Sequence, residues 1–296
     1  MPLKEYIPLA AMAFMLIIVE ILALVLSVPV QTAGIAAFSD PESLSNPVIF
    51  FGILIVFTIV MLVLIRRGFK RIFAALIWIS LFLTFCYVFS AILFTLDLPE
   101  PWLTVVPVLL AIAGTYALYA FPEWYVINTL GILLAAGVAA IFGISLGIVP
   151  VLILLCILAI YDAIAVYRTR HMIALAEGVL ESKMPILFVI PKKRGYSFIK
   201  EGVHDISSGE GERAAYVMGM GDLIMPAILV VSAEVFLPGS GNLPISLPAL
   251  GAMLGSLAGL AVLMHFVRRG VAQAGLPPLN GGAILGFLIG YAFALL

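Results

Sequence analysis

Four carboxylates interrupt long apolar runs in this sequence: Glu20, Asp162, Asp222 and Glu234. A charged side chain in such surroundings is expensive unless a function or a partner compensates for it. Asp162 and Asp222 form a pair by position. The first stands six residues before Arg168 and the second nine residues after Arg213. On helices rising 1.5 Å per residue, those offsets are about 9 and 13 Å, so antiparallel neighbours bring the two carboxyls face to face. Two carboxyls that close in a low-dielectric site cannot both ionise, and the pair holds one proton between them. One member is then a general base for water and the other an acid for a carbonyl oxygen. Such a pair hydrolyses a peptide bond without a metal. Which member holds the proton is a property of the pair. From position alone, two unrelated polar residues or the ion site of a transporter stand as alternatives.

The flanking residues favour catalysis. Gly219-Met220-Gly221-Asp222 sets two glycines before one acid, and Tyr161 precedes the other. Glycines in a span permit close backbone approach or a loosened turn, and either admits substrate and water. Glu234 falls near the outer end of its span, within reach of headgroups or water. Glu20 lies mid-span with no basic residue at its depth, and reads as a protonated packing residue or as the lining of a cavity. His171, His204 and His265 lack ligand spacing, and Cys86 and Cys156 sit in apolar runs as small hydrophobes. No metal site and no cofactor is expected.

The elements that must position the pair follow from composition. Of 296 residues, 64% are hydrophobic and 10% charged, with a mean hydropathy of +1.24. A soluble domain of this size has no means of hiding so much apolar surface, so a soluble enzyme and a nucleic-acid binder are excluded. The predicted fold is an all-α polytopic membrane protein whose nine helices cover 7–30, 47–65, 72–96, 103–121, 124–147, 148–166, 214–237, 247–267 and 277–296. The fifth and sixth are divided near Gly143, Gly147 and Pro150. Trp102 and Trp124 mark span edges.

With nine spans, all 15 Lys and Arg residues fall on one side. The positive-inside rule then makes the N-terminus cytoplasmic and the C-terminus extracytoplasmic. Three parts follow: a six-helix unit over 1–167, a cytoplasmic connector over 168–213, and a three-helix unit over 214–296. The connector is expected to begin helix-like near Ile173 and to continue as loop from Met184 through Gly209. Gly251, Gly255 and Gly259 recur every four residues in the eighth span, as do Gly282, Gly286 and Gly290 in the ninth. These rows read as internal helix contacts, with a homo-oligomer interface as the alternative.

Together, the segments 160–166 (IYDAIAV) and 219–224 (GMGDLI) resemble the presenilin-type intramembrane aspartyl proteases, most closely their microbial, archaeal-type homologues. The nine-span plan is similar too. The resemblance implies that Asp162 and Asp222 are catalytic and that Tyr161, Gly219 and Gly221 shape the site. It also implies a Pro-Ala-Leu motif before the last span. The literal Pro248-Ala249-Leu250 opens the eighth span and reads as a helix start. The family position holds Pro277-Pro278-Leu279, expected to keep the backbone extended near the site. Signal peptide peptidases share both motifs in the opposite topology, and the basic residues here favour the presenilin orientation. Type IV prepilin peptidases share only the Gly-x-Gly-Asp. The implied activity is intramembrane endoproteolysis of single-span membrane proteins in the cell membrane. Those substrates would be admitted sideways from lipid, and an extended substrate would be held by strand pairing with the segment preceding Ala214 or that around Pro277–Leu279. The rival reading is a proton- or cation-coupled transporter, which predicts internal repeats that the sequence lacks.

Overall fold

The computed structural model describes residues 7–96, 99–169, 187–192, 195–201, 215–237, 244–267 and 273–296. Nine long helices appear among them: α1 (Ile7–Thr32), α2 (Ser45–Arg66), α3 (Lys70–Phe94), α4 (Trp102–Ala120), α5 (Trp124–Ser145), α6 (Ile148–Ala163), α7 (Met220–Phe236), α8 (Leu247–Val267) and α9 (Leu276–Ala294). The apolar runs form helices because a helix satisfies its own backbone polar groups where no water does. Eight of these segments are long and apolar enough to cross a membrane. The outward faces carry large apolar side chains, such as Ile53, Val56 and Leu285, as a lipid-facing surface requires.

The interior is built on α7, whose residues from Pro226 to Ala233 are all buried. It lies against α5 and α1. Small residues on α5 allow this approach: a Cβ on Gly143 would stand 2.5 Å from the Val231 side chain. Ser232 donates to the Leu146 carbonyl at 2.7 Å, tying α7 to the break between α5 and α6. At that break the Gly147 amide donates to the Pro41 carbonyl at 2.9 Å. The glycine rows of α8 and α9 face each other as expected for internal contacts. Cβ atoms at Gly251, Gly255 and Gly286 would collide with the carbonyls of Gly286, Gly282 and Gly251.

Two expectations about the chain between α6 and α7 are corrected. Residues 187–191, read as loop, form strand β1 (Leu187–Pro191), and the first residues of the predicted seventh span form strand β2 (Ala215–Gly219). The strands pair antiparallel with Val189 opposite Val217. Short apolar runs of this kind suit helix and strand equally, and the tertiary setting decides. Here Asn128 on α5 decides it: its Nδ2 donates to the Val189 carbonyl at 2.8 Å and its Oδ1 accepts the Val189 amide at 2.9 Å. The side chain thus imitates a neighbouring strand on the outer edge of β1. Glu123 fixes the helical turn Phe198–Glu201, accepting from the Ser197 hydroxyl at 2.6 Å and the Phe198 amide at 3.0 Å. The helix-like part of the connector near Ile173 lies outside the described residues.

Candidate active site

Asp162 lies in the last turn of α6 and is buried. Burial takes water away from this carboxyl, and a hydrogen bond from the protein has to replace it. The compensation comes from α9, whose first amide, Leu276 N–H, donates to Asp162 Oδ2 at 3.0 Å. Leu276 is followed by Pro277 and Pro278, which have no N–H. The first turn of α9 thus has few amides, and it gives the first of them to Asp162.

Asp222 occupies the first turn of α7, three residues after the helix-capping Gly219. Its carboxyl reaches back to accept the Gly219 amide, half of the reciprocal arrangement known as a capping box. Gly219 is extended at φ −64° and ψ 138°, as the junction of β2 and α7 requires. On the other flank is Gly275, where a Cβ would stand 2.7 Å from Asp222 Oδ2. The peptide from Gly275 to Leu276 thus touches both acids. On those contacts and standard backbone lengths, the two carboxyls lie within about 10 Å of each other.

The remaining site candidates take definite places. Tyr161 turns its ring toward α2, meeting Phe51 edge-on at 5.5 Å between centroids. Gly221 is exposed and faces open space, with nothing within 4 Å of a Cβ built on it. Pro277, Pro278 and Leu279 do not form the extended segment expected of them. They lie in the first turn of α9, where proline suits the helix because the missing N–H would have been unpaired anyway. Leu279 is fully buried. Glu20 is fully buried and accepts from the Ser256 hydroxyl at 2.7 Å, which joins α1 to α8. Glu234 accepts the Ser246 amide at 2.7 Å and so fixes the approach to α8 instead of reaching headgroups.

Three features escaped the sequence reading. Gly275 precedes a helix and carries no motif signal. Asn280, fully buried, donates to the Leu155 carbonyl at 3.1 Å and locks α9 to α6 below Asp162. Beyond Ala163 the helix continues as a π turn, Ile164–Arg168, and such turns occur frequently at functional sites.

A comparison with curated proteins finds no match. Among solved structures, the chain is similar to a presenilin family intramembrane aspartate protease seen in two crystal forms. In the C222 form the identity is 47% and the TM-score 0.68; in the P2 form they are 49% and 0.71. Each alignment covers 98% of this chain and 99% of the other. The family model described as signal-peptide peptidase, presenilin aspartyl protease matches residues 12–296. On that match, running through both aspartates, the chain belongs to the signal-peptide peptidase and presenilin aspartyl protease family.

Proposed function

We propose that Asp162 and Asp222 are the catalytic pair of this intramembrane aspartyl protease, a multi-pass integral protein of the cell membrane whose substrates are themselves membrane proteins. The observation that carries the assignment is the shared backbone: Leu276 N–H on Asp162 and Gly275 against Asp222. The ionised member takes a proton from water as its oxygen attacks the scissile carbonyl carbon. The protonated member gives its proton to the carbonyl oxygen. Collapse of the tetrahedral species returns a proton to the departing amine, and the pair is regenerated.

The substrate is a single-span helix admitted sideways between α2 and α6. In support, α2 is the least buried of the eight membrane-length helices, and Phe51 of α2 rests on Tyr161 beside Asp162. A helix hides its peptide bonds in its own ladder and must unwind before water attacks. The outer edge of β2, which no described strand pairs, offers replacement bonds. Val189 gives its amide and carbonyl to Asn128, so in an antiparallel pair the amide and carbonyl of Val217 opposite it point away from β1. That edge leads through Gly219 to Asp222. Gly221 leaves the approach open, and Pro277, Pro278 and Leu279 hold the α9 end of the site. The clustering of basic residues supports a cytoplasmic connector, with the two acids toward that face.

The test is cleavage of a single-span substrate in vesicles, with products identified by mass spectrometry. Asp162→Ala and Asp222→Ala each abolish product while the fold is retained. Undiminished cleavage by either variant overturns the assignment.

A further inference from the structure

Residues 273–275 belong to neither helix nor strand, yet the peptide that follows them touches both acids. Fixing irregular backbone costs conformational entropy, so a strap of this kind needs an anchor. Tyr167 supplies one. Its hydroxyl donates to Gln273 Oε1 at 2.7 Å and accepts the Ala274 amide at 3.3 Å. The amide has only a donor to offer, so the phenolic proton goes to Gln273 and the two bonds do not compete. Local geometry explains how the ring reaches the strap. In an α-helix a residue five places on is turned away by about 140°. Tyr167 is five places after Asp162, but it lies in the π turn, whose bonds close between residues five apart and bring it back toward the face of Asp162. The side chain is 54% exposed, so apolar burial does not account for its placement.

We infer that Tyr167 is a positioning residue for catalysis: through Gln273 and Ala274, its hydroxyl holds the Gly275–Leu276 backbone in register with Asp162 and Asp222. The inference rests on the assignment of those acids as the catalytic pair. A shift of about 1 Å in such a seat is enough to cost roughly 100-fold in rate.

The experiment uses the full chain in vesicles with a single-span substrate and compares Tyr167→Phe, Gln273→Leu and the double variant. Each single change lowers kcat by about 10- to 100-fold with KM unchanged, and the double variant falls no further than the lower single, because the two groups act as one unit. Affinity for a peptide analogue with a secondary alcohol at the scissile carbonyl drops by the same factor as kcat, since both report the geometry between the acids. Parental kcat in Tyr167→Phe overturns the inference. So does a kcat loss accompanied by a lower melting temperature and an equal loss of substrate binding, which marks a purely structural role. Asp162→Asn and Asp222→Asn are measured alongside: cleavage surviving in them removes the catalytic pair itself, whereas inactive Asp variants beside a fully active Tyr167→Phe remove only the role of the tyrosine.

Discussion

At position 275 a methyl group would stand 2.7 Å from one oxygen of Asp222 and 3.0 Å from the other. Asp222 has little room to yield, because its carboxyl is also held by the Gly219 amide. Gly275→Val is therefore expected to lower kcat at least about 10-fold by displacing one acid, with little change in melting temperature; activity and thermal denaturation measured together check this. The acids themselves were legible in the sequence because charge is scarce there. Against 10% charged residues, two aspartates at matched depth stand out. Gly275 and Tyr167 were not legible. A glycine two places before a proline and a tyrosine near a helix end are ordinary in a span, and their roles arise only when α6 and α9 meet. The prolines at 277 and 278 misled in a different way: proline breaks a helix interior but is welcome in a first turn, and residue type alone does not separate the two.

Among the elements, α8 and α9 meet backbone to backbone through their glycine rows, a contact that spacing alone made visible. The Gly286 carbonyl occupies the space a side chain at 251 would need, and Gly286 is in turn filled by the Gly251 carbonyl. Neither backbone can turn aside as a side-chain end would. Gly286→Leu is expected to cost several kcal/mol, beyond the roughly 1–3 typical of overpacking against side chains, and to appear as a large fall in melting temperature. The strands escaped because LFVIP and AYVMG are apolar runs like the spans around them, and the residue that selects the strand, Asn128, lies 61 positions away from Val189. Asn128→Leu removes both of its bonds to Val189, about 1–3 kcal/mol in total. Exchange of the Val189 amide should accelerate by roughly 10- to 100-fold, as hydrogen exchange with mass spectrometry would report.

For the whole molecule, the sorting of basic residues to one side predicts the disposition of every loop. In a chain with Cys86 and Cys156 replaced by Ala, single cysteines at Ser207 and Ser43 should be labelled by an impermeant thiol reagent from opposite faces of the membrane. Labelling of both from the same face would reject the nine-span topology. The feature that composition blurred is the length of α7. Its 17 residues span about 25 Å, less than the roughly 30 Å of a hydrocarbon core, because the preceding residues were taken by β2. Because α7 is buried within the protein, it is the substrate helix, drawn in from lipid, whose depth relative to the acids follows bilayer thickness, and the bilayer thereby becomes a ruler for the reaction. Lengthening the acyl chains of reconstituted vesicles should move the severed peptide bond along the substrate, so that lipid thickness joins side chains in choosing where the cut falls.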